Sequence, residues 1–174
     1  MDKGNTILIY GITGHTSGFG KYIAKRLVNE GHSVVGVSRT NGFDLTKDMS
    51  AIVHHLKDCD IIINNSSGGN VQAKLLEKLY HEYRISNKTV ISVGSWITRV
   101  ERSRIHEVDL RHYTDKSNLA AISSMINYDN TTIKSIHLSW GFHAGNPILN
   151  RYSELMDTTT VDQAVDELVT STRK

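Results

Sequence analysis

Thr13-Gly14-His15-Thr16-Ser17-Gly18-Phe19-Gly20 follows a short apolar run and precedes an amphipathic segment, Lys21 to Asn29. That placement suits a bound anion. Gly14 permits a tight turn, Gly18 lets backbone N–H groups approach a pyrophosphate, and Gly20 lets the next helix pack on the strand with its N-terminus toward the phosphates. His15, Thr16 and Ser17 add side-chain donors. A second apolar run ends Val37-Ser38-Arg39. An acid at such a strand end would bind a ribose 2′-hydroxyl, whereas Arg39 can grip a 2′-phosphate bidentately while Ser38 donates beside it. Two other readings stay open: Arg39 as a plain surface arginine, and Asp44 reaching the ribose. Ser95 closes a fourth run, and His112, Tyr113 and Lys116 lie together in a helical stretch. Residues four apart share a helix face, so His112 and Lys116 can address one ligand, and an imidazole titrating near pH 6.5 can exchange a proton with it. Tyr113 lies about 100° further round the helix than His112. A tyrosinate beside an ammonium is nevertheless favoured by charge attraction. The proton donor is thus His112, Tyr113 or neither.

These residues need a frame that gathers strand ends. Apolar β-branched runs at Thr6 to Ile12, Ser33 to Ser38, Asp60 to Asn64, Thr89 to Gly94 and Thr132 to Ser139 predict strands buried on both faces. Between them, 3.6-residue periodicity predicts helices carrying Phe19, Ile23, Ala24, Leu27 and Val28; then Ile52, Val53 and Leu56; then Leu75, Leu76, Leu79, Tyr80 and Tyr83. A fourth helix is expected over Val108 to Ile126. The last opens on a capping box, Thr160 to Gln163, and buries Ala164, Val165, Leu168 and Val169. This alternation predicts an α/β domain whose parallel sheet has right-handed crossovers and the order 2-1-3-4-5. Ligands bind such sheets at the carboxyl ends of the strands where the winding reverses. The glycine loop, Ser38-Arg39, Asn65 to Asn70 and Ser95 all follow strand ends. Trp96 and Trp140 either wall that crevice or simply pack, and Gly141 to Asn150 reads as a covering loop.

The spacing Thr-Gly-x-x-x-Gly-x-Gly resembles that of the short-chain dehydrogenase/reductase family. Four further stretches agree in order: Asp60-Ile-Ile-Ile-Asn64-Asn65-Ser66, Val90-Ile-Ser-Val-Gly94-Ser95, His112-Tyr113-Thr-Asp-Lys116 and Ile136-His-Leu-Ser-Trp140-Gly141. The resemblance implies a Rossmann-like three-layer α/β/α sandwich and an oxidoreductase moving a hydride between nicotinamide and a small carbonyl or alcohol. It implies NADP(H) as the preferred cofactor when combined with Arg39, with NAD(H) the alternative. It assigns Ser95 to the substrate oxygen and Lys116 to the nicotinamide ribose, and places Asn65 and Ser66 beside the cofactor. The family's catalytic tyrosine position is filled by His112. Asn70 could take the family's lysine-supporting asparagine role. The usual helix and third strand after Arg39 are missing, so Asp44-Leu45 would reach the adenine directly. The other function class is a nucleotide-binding module without turnover, a redox sensor or scaffold that lost the tyrosine. A third is a protein-interaction domain that lost the nucleotide.

With 174 residues, one proline and no linker-like stretch, residues 1–174 read as one domain. A formal charge of +2, with Glu101 and Glu107 interrupting Arg99, Arg102 and Arg104, gives no basic patch, so nucleic acid is not expected. Cys59 is the only cysteine, which excludes an internal disulfide, and no Cys/His cluster has metal-ligand spacing. No apolar run spans a membrane and none forms a signal-peptide core, so a cytoplasmic location is expected. A homodimer or homotetramer is what the resemblance implies.

Overall fold

The computed structural model describes residues 6–66, 68–140 and 160–171. Five parallel strands, β1 (Ile9–Thr13), β2 (Ser33–Val37), β3 (Ile61–Asn64), β4 (Thr89–Val93) and β5 (Lys134–Leu138), form a sheet of order β2-β1-β3-β4-β5. The expected order is the observed one. The strand ends are trimmed relative to the apolar runs, because pairing stops where the chain turns: β1 starts at Ile9 rather than Thr6, and β5 starts at Lys134 rather than Thr132.

Alternation decides what covers each face. Ile62 and Val90 point into one layer with Ile52, Leu75, Leu76, Leu79, Leu119 and Ile126, from α2 (Met49–His55), α3 (Val71–Tyr83) and α4 (Leu110–Tyr128). Ile61, Ile63 and Ile91 point into the other with Ile23, Leu27, Val165 and Leu168, from α1 (Gly18–Asn29) and α5 (Val161–Ser171). Strands apolar on both faces are the consequence of helices on both sides. The capping box at α5 is formed in full: the Thr160 N–H donates to Gln163 Oε1 and the Gln163 N–H to Thr160 Oγ1, with Ala164, Val165, Leu168 and Val169 all buried. Val28 departs from its expected place. At the last turn of α1 it is 57% exposed, on the flank away from the sheet, while Ile23 and Leu27 fill the core.

α4 starts at Leu110, one short turn (Glu107–Asp109) after the expected beginning, and runs on to Tyr128. Its first turns carry His112 and Lys116 past the carboxyl ends of β4 and β3. None of the described helices is long and apolar enough to cross a membrane. Gly141 to Asn150, the expected covering loop, lies outside the described residues.

Candidate functional site

The turn after β1 is clamped to the turn after β3. Thr13 is fully buried, and its Oγ1 accepts from the backbone N–H of Asn65 (3.0 Å) and of Ser66 (2.9 Å), while Asn65 Nδ2 donates to Thr13 O (3.1 Å). Gly14 (φ +74°) and Gly18 (φ +50°) take left-handed conformations that suit glycine, and the Gly14 N–H donates to Val37 O at 2.7 Å. α1 starts at Gly18 with Ser17 as N-cap, so its first N–H groups open onto the crevice. Gly20 lies directly under the Gly14 carbonyl.

Around this loop lies a cleft of about 1090 Å³ lined by Gly14, Thr16, Ser17, Ser38, Arg39, Thr40, Asp44, Leu45 and Ser66, among others. Eight expected cofactor residues therefore meet here. Thr16 Oγ1 and Ser38 Oγ both lie within hydrogen-bond distance of Thr40 Oγ1, at 3.0 and 3.2 Å. This hydroxyl cluster beside Arg39 is a donor set for an anion, and Thr40 is a member that strand-end reasoning missed. Asn41 fixes it, accepting from the Ser38 N–H (2.8 Å) and donating to Gly36 O (2.8 Å). Asp44 Oδ1 accepts from the Thr46 N–H and hydroxyl, and those bonds hold its carboxyl below the usual range.

Two other expected cofactor residues, His15 and Phe19, do not line this cleft. The ring of His15 lies against Gly36, in space that a side chain there would fill. Phe19 packs edge-to-face on Trp140, 5.2 Å between centroids, and Trp140 donates to Glu167 on α5. Trp140 is thus a packing residue.

A second cleft of about 310 Å³ is lined by Gly68, Gly69, Asn70, Val71, Gln72, Val108, Arg111, His112, Asp115 and Lys116. Gly68, Gly69, Val71 and Arg111 border both clefts, so the two are adjoining parts of one crevice. The bend that separates them takes positive φ at Gly68, Gly69 and Asn70, and Asn70 is the N-cap of α3. Arg111 was not anticipated. It is the residue before His112 and reaches toward Gly69.

Lys116 is 6% exposed and reaches down toward the sheet. Its Nζ donates to Gln72 Oε1 (2.5 Å) and to Val93 O (2.8 Å). Gln72 Nε2 donates to Asn64 O (2.7 Å) and Val93 O (3.1 Å), and Asn64 Nδ2 returns a bond to Gln72 O (2.8 Å). Gln72, rather than Asn70, therefore holds the lysine. No sequence signal distinguished it, since a glutamine in the first turn of a helix usually faces solvent. Burial pushes the Lys116 amine down to about 8, against the opposing pull of Asp115. Burial and then the charge of Lys116 hold the His112 imidazole below its usual range, which favours the neutral form, the form able to take a proton from a hydroxyl.

Ser95 and Tyr113 do not line either cleft. Ser95 is buried, and its Oγ accepts from the Ile97 N–H at 3.4 Å, capping the short turn Trp96–Arg99. Tyr113 sits half-buried at the next position of α4. The geometry of α4 thus brings His112 and Lys116 to one cleft, which Ser95 does not line.

No family model and no curated protein matches this sequence. Solved structures do match its fold. The 3-alpha-hydroxysteroid dehydrogenase from Pseudomonas sp. B-0831, complexed with NADH, superposes with a TM-score of 0.71 over 92% of this chain and 88% of its own, at 13% identity. A short chain dehydrogenase from Burkholderia cenocepacia J2315, in complex with NADP, gives a TM-score of 0.76 over 96% of this chain and 84% of its own, at 15% identity. The fold is that of the short-chain dehydrogenases. A small-chain dehydrogenase in complex with NADPH agrees, with a TM-score of 0.72 and 15% identity over 97% of this chain and 92% of its own. On that fold, this chain places His112 four residues before Lys116, and Gln72 accepts from the lysine.

His137, on β5, is held well below the usual imidazole range. Burial and then the charge of Lys116 push its imidazole down to about 4. The unfolded chain therefore binds more protons than the folded one between about pH 4 and pH 6.5, and stability falls as pH drops through that window. Urea denaturation at stepped pH should show this loss in the natural chain and a shallower one in His137→Leu.

Proposed function

We propose that the chain is an NADP(H)-dependent oxidoreductase that moves a hydride between nicotinamide and a small carbonyl or alcohol. The observation that carries this reading is the two-part crevice: an anion-binding half built from the glycine loop, Arg39 and three hydroxyls, adjoining a half walled by His112 and Lys116. A dinucleotide is an extended molecule with an adenosine phosphate at one end and a reactive ring at the other. The residues present fit it. Thr16, Ser38, Thr40 and Arg39 would hold a 2′-phosphate, the α1 N-terminus would face the pyrophosphate, and Leu45 with Phe43 would flank the adenine. Bound NADP(H) would supply the hydride. The chain's own part is to orient the cofactor, exclude water and exchange a proton at His112. The complexes of the structural neighbours with NADH, NADP and NADPH support a nicotinamide cofactor.

The test is a fluorescence titration with NADPH and, separately, NADH, followed by a carbonyl panel. Tight NADPH binding, weak NADH binding and NADPH oxidation by one or more carbonyls are expected. Arg39→Ala should weaken NADPH binding by about 10- to 100-fold, the range for one charged hydrogen-bonding partner, and leave NADH binding unchanged. Equal losses for both cofactors would assign Arg39 to the frame rather than to the 2′-phosphate.

One observation favours a second reading, a nucleotide-binding module without turnover: Lys116 is tied to Gln72 and Val93, and the Ser95 hydroxyl caps a turn. His112→Phe separates the readings. Loss of turnover with NADPH affinity retained supports the enzyme, and the same loss in Tyr113→Phe instead would move the proton donor to the tyrosine. Unchanged turnover in both variants would remove both donors from the reaction.

A further inference from the structure

Asn64, Ser92 and His137 lie opposite one another across β3, β4 and β5. Register in a parallel sheet puts their side chains on one face, and it is the face of Ile62 and Val90, covered by α3 and α4. Three polar side chains in a row beneath packed helices should all be satisfied. Asn64 Oδ1, Ser92 Oγ and His137 Nδ1 are each buried and have no hydrogen-bond partner among the described residues. Asn64 and Ser92 are fully buried, so bulk solvent does not serve them.

A fourth group is short of a partner at the same place. An ammonium has three donors, and Lys116 spends two on Gln72 Oε1 and Val93 O. Val93 is the residue after Ser92, so the third N–H is within reach of the row. His137 is fixed from its other side: its Nε2 is 2.9 Å from Ser139 Oγ, and its ring covers Gly94, where any side chain would collide with it.

We propose that Asn64, Ser92 and His137 form a binding site for ordered water beneath α4, and that this water takes the third N–H of Lys116. Water is the ligand that fits, because the row mixes an acceptor (Asn64 Oδ1), a hydroxyl that can do either, and an imidazole nitrogen, and a buried water needs two to four such partners. The site solvates Lys116, the one buried lysine or arginine among the described residues. It stands whether or not the chain binds a dinucleotide.

A high-resolution crystal structure of the full chain tests it directly. Water within about 3 Å of Ser92 Oγ and of Lys116 Nζ is expected. A dry row, with Ser92 Oγ bonded to Asn64 Oδ1 and the lysine's third N–H on a protein acceptor, overturns the proposal. In solution, Ser92→Val fills the space with methyl groups and should shift the NMR titration of Lys116 downward, whereas Ser92→Ala leaves the water and the titration in place. An unchanged Lys116 titration in Ser92→Val overturns the link to the lysine. Where Ser92→Val does not fold, the ring ¹⁵N shifts of His137 in the natural chain decide: a hydrogen-bonded Nδ1 is expected, and a free one overturns the site.

Discussion

Gly20→Ala is expected to destabilise the fold by about 2 kcal/mol, within the range for forcing extra volume into a packed site, and to abolish the nucleotide binding proposed above. A Cβ at Gly20 would lie 2.3 Å from the Gly14 carbonyl oxygen and 2.7 Å from Asn65 Nδ2. Neither can retreat cheaply. Gly14 is bonded to Val37 and Asn65 is bonded to Thr13, so pushing them apart opens the clamp between the turns after β1 and β3. The N-terminal end of α1 moves with them. Thermal unfolding and an NADPH titration below the transition measure the two effects. Gly18→Ala is the control: nothing lies within 4 Å of its Cβ, so only the left-handed φ opposes it, at about 1 kcal/mol. Native stability and affinity in Gly20→Ala would mean that α1 does not seat against the loop in this way.

Gln72→Leu should cost about 3 kcal/mol at neutral pH, because it removes an acceptor from a buried ammonium and a donor from the two carbonyls that Gln72 serves. The loss is tied to the charge. Lys116 titrates at about 8 in the folded chain, against 10.5 ordinarily. The unfolded chain thus binds more protons between those values, so the ammonium's burial penalty, on the order of 3 kcal/mol, is felt below about pH 8 and is relieved as pH rises toward 10.5. Lys116→Met should remove this slope and be at least as stable as the natural chain at pH 7, since replacing a buried charge by a packed apolar chain is often neutral or stabilising. Combining Gln72→Leu with Lys116→Met should recover most of the loss. Urea denaturation across the pH window reads all three variants. A slope equal in the natural chain and in Lys116→Met would show that the lysine is not buried as an ammonium.

The lysine and its neighbours mark where sequence and tertiary structure divide the work. Periodicity is local and obligatory: Ile61, Ile62 and Ile63 must alternate between two covered faces, and Thr160 and Gln163 must satisfy the first N–H groups of α5. The glycine loop and the helix carrying His112 and Lys116 were therefore legible from spacing, and the sheet order from the alternation of strands and helices together with right-handed crossovers. Val28 was not, because a helix edge meets solvent or core according to how the whole helix is rotated against its neighbours.

The site divides in the same way. Gly14, Thr16, Ser17, Ser38, Arg39 and Ser66 follow strand ends, and in a parallel sheet strand ends converge whatever the rest of the chain does. Thr40, Arg111 and Gln72 reach the crevice only through the length of a loop or the phase of a helix. The direction of Lys116 was decided by tertiary structure for the same reason. A residue's number fixes its angle on α4, but whether its amine turns to the cleft or down to Gln72 and Val93 depends on which acceptors the sheet leaves open beneath it. Nothing in the order of residues along one chain says that Asn64, Ser92 and His137 share a row, since register is set by the pairing of three strands distant in sequence.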